Sequence, residues 1–444
     1  MPTALITIAK NGAMTARTGL ELTGQNIANV GTPGYTRRTA ASEEVASAGG
    51  IGLNASGSLS GARAGGVERA GAAFQRAEVR RTGSDLARAD AELSGLKQAE
   101  AALDGAGLYP ALTRLEASLL RLEADPLSSA LRADALEQAR GAAQSFNLAA
   151  SGLDTAREGV LTEAASGVAE VNRLAAELAR LNGGLARAGE GSAGKAALLD
   201  QRDALLGQLA SHASIGTEFD SAGRVTARLG GAGGPLLVAG GESGSLTAAQ
   251  DASGALRFQV DGAEAVLAGG SLAGHAQALE RLNSFGEKLD GLAADLIGRA
   301  NTAQEGGRTP AGAAGSPLFT GTDAQSIALA LQDGNSIAAA SPGSPAGSRD
   351  AGNLAALRSA LANGPVVGAD RLLLDVSSAI SGRTVTRDVL HGLSRAAESS
   401  LQNAAGVDLD AEAVNLLRFQ QAFQANGKVI AAAAAMFDQL LRIG

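Results

Sequence analysis

The chain has 444 residues, 45% of them hydrophobic, which allows roughly two to four domains with real cores and excludes wholesale disorder. Its 37 basic and 45 acidic residues leave a formal charge of −8, a balance that argues against a nucleic-acid partner. With no cysteine, disulfides, thiolate metal sites and thiol catalysis are excluded together.

Nine Phe, two Tyr and no Trp beside 60 Gly favour long, shallow helix packing over one deep core. No apolar run is long enough to span a bilayer, so no membrane association is expected. Residues 1–30 interrupt their apolar positions with Lys10, Asn11, Arg17 and Glu21, unlike a standard signal peptide.

In chain order, Ile6, Ala9, Ala13, Ala16, Leu20, Thr23, Ile27 and Val30 alternate in steps of three and four, the spacing of a coiled-coil seam. Gly31-Thr32-Pro33-Gly34 should end that helix, with Gly31 as a left-handed cap and a type II Pro-Gly turn after it. Residues 41–66, rich in Ser, Gly and Ala, read as extended or loop-like. Helical spacing resumes near Phe74, runs from Pro110 to Ala124, breaks at Asp125-Pro126, and continues from Leu127 to Leu185. A further helix passes through Leu198, Leu205, Leu206 and Leu209.

Between 215 and 272 the period changes. Leu256-Arg257-Phe258-Gln259-Val260 alternates and ends in Asp261-Gly262, a strand and its turn. Helical spacing returns at Leu279, Leu282, Phe285, Leu289, Leu292 and Leu296, and 306–350 is irregular. The last helix carries Leu416, Phe419, Phe423, Asn426, Ile430, Ala433, Phe437 and Leu440 in the same three-four alternation. A second row, Ala422, Val429, Met436 and Ile443, makes its apolar face wider than one partner needs. The reading is mainly α with a small inserted β domain. The terminal helices pair as a coiled-coil rod (1–40 and 405–444), the middle forms an elongated helical bundle (41–214 and 273–404), and 215–272 is β-rich.

Candidates for chemistry are few. His212, His275 and His391 have no ligand spacing, and no metal site, catalytic residue or cofactor is expected. Residues Gly189 to Lys195 imitate a phosphate loop, but Ala196 stands where a hydroxyl should hold magnesium and the preceding stretch is helical. A passive connector between two helices is the better reading, with a P-loop enzyme as the remote alternative.

The ends carry a family likeness. Asn26-Ile27-Ala28-Asn29-Val30-Gly31-Thr32-Pro33-Gly34-Tyr35 resembles the N-terminal signature of bacterial flagellar rod, hook and hook-associated proteins. Residues 415–430 resemble their C-terminal signature, except that Gly427 replaces a helix-favouring small residue. Leu198-Leu199-Asp200-Gln201-Arg202-Asp203-Ala204-Leu205-Leu206 is similar to a motif of the hook-associated protein 1 family, and the helix around Asn172 to Asn182 fits that pattern. The resemblance marks Asn26, Asn29, Pro33, Gly34, Tyr35, Asp200, Arg202 and Asp203 as family-motif residues.

The resemblance implies a non-enzymatic structural subunit joining hook to filament in the extracellular flagellum. Such a subunit is exported through the flagellar type III apparatus without a cleaved signal. Its partners would be its own copies in a ring or tube, the hook protein, the second hook-associated junction protein and an export chaperone. The expected assembly interface is Ile6, Leu20, Ile27, Val30, Leu416, Phe419, Phe423, Asn426, Ile430, Phe437 and Leu440. Another axial protein, a hook or distal-rod subunit, is the alternative.

Overall fold

The computed structural model describes residues 2–46 and 59–443. Helix α1 (Pro2–Ala28) leads into an antiparallel hairpin of β1 (Arg38–Ala46) and β2 (Leu59–Arg69). The chain turns at Thr32-Pro33-Gly34-Tyr35, where the Tyr35 N–H donates to the Thr32 carbonyl at 3.2 Å. Gly34 takes φ +77°, as the third residue of a type II turn must. The left-handed glycine is therefore Gly34, and Gly31 does not form the predicted left-handed cap. The described parts of 41–66 take the extended one of their two readings, and the hairpin lies against α1, where Gly61 admits Ile8 and Thr15 Oγ1 donates to the Ala62 carbonyl.

The body begins with α2 (Ala73–Ala106), α3 (Leu108–Ala124) and α4 (Ser129–Arg187). Gly107, at φ +59°, separates the first two helices. After Pro126, Ser128 caps α4 by accepting from the Leu131 N–H at 3.4 Å. At 59 residues, α4 is on the order of 90 Å long. Helix α5 (Ala193–His212) follows, capped by Ser192, and folds back on α4.

A β region then interrupts the helices. Strands β3 (Ile215–Phe219), β4 (Val225–Leu229), β5 (Leu236–Ala239) and β6 (Glu242–Ser243) form one antiparallel sheet in chain order. Strands β7 (Leu246–Gln250), β8 (Leu256–Val260) and β9 (Ala263–Ala265) form a second. The predicted Asp261-Gly262 turn joins the last two strands, with both residues at positive φ as a two-residue hairpin requires.

Two asparagines of α4 fasten these sheets. Asn182 donates to the Val225 and Gly240 carbonyls, each at 2.8 Å, and accepts from the Val225 N–H at 2.9 Å. Asn172 exchanges the same pair of bonds with Leu246, at 2.9 and 2.7 Å. Beneath them Val171, Leu174, Leu178, Leu206 and Leu209 close a core with Val225, Leu237 and Phe258.

Helix α6 (Ser271–Gly306) returns through the body, followed by an irregular stretch holding β10 (Phe319–Thr320) and β11 (Ala328–Leu329). Arg132, 1% exposed, donates to the carbonyls of Pro126, Gly334 and Ile337 and so pins that stretch to the start of α4. Helix α7 (Gly352–Leu361) runs through a π-turn at Pro365 into α8 (Val367–Ala405), which lies antiparallel on α2. The second and larger core joins α2, α3, α4, α6, α7 and α8, with Phe146 fully buried in it. Helix α9 (Leu409–Ile443) leaves the body and packs along α1.

Candidate assembly interface

The two terminal helices pair as the spacing predicts, and they do so antiparallel. Gly12, Gly19 and Asn26 recur every seven residues on α1, opposite Asn426, Phe419 and Glu412 on α9. A Cβ placed on Gly12 would stand 2.6 Å from Asn426 Oδ1, and one on Gly19 would stand 2.7 Å from the Phe419 ring. Asn26 Nδ2 donates to Glu412 Oε1 at 3.0 Å, completing a ladder of three rungs. Ala9, Ala16, Thr23 and Ala433 are buried beside it. Missing side chains on α1 let α9 lie close, and Asn426 satisfies its own amide on the Ala422 carbonyl at 2.9 Å.

This seam keeps part of the expected one, with Ala9, Ala16, Thr23 and Ala433 common to both, and adds Gly12, Gly19 and Asn26. Phe419 and Asn426 lie in it, but Leu416, Phe423 and Phe437 are exposed, as is Val30 beyond the end of α1. Ile6, Leu20, Ile27 and Ile430 are half-buried, and the Leu440 side chain lies outside the described residues. The cause is size. Of the positions that periodicity marks, the small ones lie in the contact and the bulky ones of α9 do not, because two helices in near backbone contact require glycine and alanine between them. The bulky stripe, extended by Val429 and Met436, is left facing outward.

The family-motif residues meet where this pair joins the body. Asn26, 1% exposed, uses its whole amide: Nδ2 also donates to the Arg38 carbonyl at 2.9 Å, and Oδ1 accepts from Tyr35 Oη at 2.9 Å and the Arg38 N–H at 3.0 Å. Burial pushes the Tyr35 phenol up, against the pull of Arg38 and with the help of Asp200 and Glu412. Asn29 Nδ2 donates to the Gln25 carbonyl at 2.8 Å, while Pro33 and Gly34 form the exposed turn.

From α5, Asp200 accepts from Arg38 at 2.9 Å and Arg69 at 2.7 Å. Asp203 accepts from Arg69 and Arg202, each at 2.7 Å, and pairs with Arg76 at 3.1 Å. Burial opposes ionisation of Asp203, but the charges and hydrogen bonds of Arg202 and Arg69 outweigh it and hold the carboxyl below the usual range. Arg202 also donates to the Gly223 carbonyl at 2.6 Å and stacks over Phe219 at 4.3 Å, tying the network to the β region. The sequence points to the two aspartates and Arg202. Arg38, Arg69 and Arg76 carry no such mark, because their partners are more than 100 residues away.

Residues 189–195 form a connector. Helix α4 precedes it where a phosphate loop needs a strand, and Lys195 is buried in an ion pair with Glu190. Gly191 at φ +65° accepts from the Val67 N–H at 2.7 Å, so the loop braces β2. The fold brings His212 and His275 together beside Glu163 and Glu170, around a surface cavity of about 440 Å³. Burial pushes the His275 imidazole down against the opposing pull of Glu163. Among the described residues, no group of three or more His, Cys, Asp or Glu could hold a metal ion. His391 stands apart on α8.

The family model of the flagellar hook-associated protein FlgK helical domain matches residues 94–319, just over half of the chain. The chain belongs to this family. At its C-terminal end, residues 399–443 match the model of the flagellar basal body rod FlgEFG protein C-terminal region, which takes in all of α9. The first match runs from the last third of α2 through α6 and takes in both sheets of the β region. Among solved structures, the flagellar hook junction protein FlgK from Burkholderia pseudomallei is similar at 22% identity and a TM-score of 0.48. That similarity covers 55% of this chain and 46% of the other, so the chain spans about half the length of that relative. No curated protein sequence matches the chain.

Proposed function

We propose that this FlgK-family chain is a structural subunit of the hook–filament junction, assembling into a ring or tube through its terminal helices. The observation that carries this reading is the outward stripe of α9. Leu416, Phe423, Val429, Met436 and Phe437 are each more than a third exposed, on the segment that matches an axial C-terminal model. A row of bulky apolar side chains along a helix is covered when copies stand side by side. The partners are other copies of the chain, the hook protein on one side and the second hook-associated protein on the other. The same stripe is the surface an export chaperone would cover before assembly. Export through the flagellar type III route and an extracellular position follow from that role, and no catalytic step is assigned to the chain.

A deletion strain tests the reading. Hooks without filaments and flagellin released into the medium are expected, and restoration by the full chain but not by a chain ending at residue 408. Normal filaments in the deletion strain would sink it.

A further inference from the structure

A cavity of about 200 Å³ opens where the terminal pair meets the body, walled by the Val30–Thr36 turn, α2, α5 and the end of α8. Three arginines line it, Arg69, Arg76 and Arg80, against one carboxylate, Asp203. That carboxylate is already engaged by Arg69, Arg76 and Arg202. The next one, Asp200, is held by Arg38 and Arg69, and Glu412 is turned toward Asn26. Five guanidinium groups therefore crowd around two carboxylates.

Arg80 is the one left over. Among the described residues its hydrogen bond is a single long one, 3.4 Å to Thr217 Oγ1, and it forms no ion pair. It lies one helical turn beyond Arg76 on α2, so both heads reach the same side of the helix. Asp203 acts on Arg80 only at a distance; a sheltered cation without a direct ion pair is costly, and a planar fork with unused donors is suited to an oxyanion. Burial pushes both the Arg76 and the Arg80 guanidinium down, as expected where negative charge is short.

The geometry points to an oxyanion site in this cavity, in which Arg76 and Arg80 together hold a carboxylate or a phosphate group. Two sources share that chemistry: a dissolved anion, or an acidic side chain of a neighbouring copy, of which this chain of net charge −8 has many. The occupied site would bridge the terminal turn to α2 and α5, and so stiffen the joint on which the helix pair is carried.

Inorganic phosphate is the probe, titrated calorimetrically into the full chain in chloride buffer. Saturable binding at one site is expected, weakened about tenfold or more in Arg80→Gln, since a charged hydrogen-bond donor is lost. Arg80→Lys, which keeps the charge without the fork, should fall between the two and serves if the glutamine variant folds poorly. Arg81→Gln is the control, because Arg81 is spent on Glu78 and Asp85 outside the cavity. Phosphate that also suppresses self-association in sedimentation of the wild type identifies a neighbour's carboxylate as the source. Phosphate that binds without changing self-association identifies the dissolved anion. No binding at tens of millimolar phosphate, or binding undiminished in the Arg80 variants, overturns the proposal.

Discussion

In the body, Phe146, Leu174 and Leu178 are fully enclosed, while in the terminal pair Phe423, Met436 and Phe437 stand in solvent and Gly12, Gly19 and Ala433 make the contact. Among the described residues, neither core cluster contains one from α1 or α9. The body thus has two closed cores of its own, although Phe74, Leu148, Leu374, Val385 and Val389 are exposed on its surface, and amide side chains such as Asn172 and Asn182 settle its backbone groups. The terminal pair settles only the groups that let two helices touch. It holds its remaining apolar area for other chains, because small residues bury too little to replace that area. One chain can therefore be stable alone and still have a reason to assemble.

The largest effect separates the two regions directly. Phe146→Ala should destabilise the body by about 3–5 kcal/mol, the usual result of emptying an aromatic site in a closed core. Phe423→Ala should change monomer stability by only about 0.5 kcal/mol in either direction, as exposed substitutions do. It should nonetheless impair assembly and motility. Calorimetric unfolding and filament counts on both variants decide the matter, and a loss of several kcal/mol from Phe423→Ala would mean that α9 is a core helix after all. Next in size is Asn182→Ala, which strips the Val225 N–H and two carbonyls of their partner and should cost about 1–3 kcal/mol. Protease sensitivity should rise in residues 215–265 and nowhere in the terminal pair.

Long elements were legible where a period ran uninterrupted. The 59-residue α4, the break at Asp125-Pro126, the Asp261-Gly262 hairpin and α9 all follow from spacing and turn chemistry. What periodicity could not reveal was which neighbouring stripe of a wide apolar face meets its partner. Gly12 and Gly19 are silent in any count of hydrophobic residues, yet they set the register of the pair. The joint was legible only in part, for a related reason. Asp200 and Asp203 sit in a recognisable string, but Arg38, Arg69 and Arg76 gain their meaning from contacts across the fold. Extended structure in 41–66 was one of two readings, but the hairpin's place on α1 was not legible, because its strands are rich in Ala, Gly and Arg with little alternation to mark a buried face.

Gly19→Ala sharpens the comparison because two effects of opposite sign compete. Alanine favours a helix over glycine by about 1 kcal/mol, which alone would stabilise α1. Against it, the new methyl would stand 2.7 Å from the Phe419 ring, and overpacking of that kind costs about 1–3 kcal/mol. A net loss of hydrogen-exchange protection confined to α1 and α9 is expected. A net gain would show that the helices do not approach as closely as the ladder requires.

The smallest effect is absent at neutral pH and emerges on acidification, in two steps that belong to different regions. His275 is buried with its pKa pushed down, so the unfolded chain takes up that proton first as pH falls. A group with a depressed folded pKa contributes stability above its unfolded value and loses it as pH falls through the folded one. The body should therefore begin to weaken below about 6.5, the ordinary histidine value. Asp203 has the same sign in a lower window: its arginine partners hold the folded carboxyl down, so its contribution is complete above about 4 and is lost below. That second loss falls on the joint, not on the core. The chain has only two tyrosines and no tryptophan, which makes the regions separable. Tyr35 reports on the joint through its bond to Asn26, and Tyr109 reports on α3. With Tyr109→Phe, the remaining emission should hold until the lower window, and Asp203→Asn should remove that acid step. His275→Asn should erase only the upper step, read from Tyr109 in a Tyr35→Phe background. A single transition shared by both tyrosines would mean that joint and body unfold as one unit, and the contrast between them would then hold for packing but not for stability.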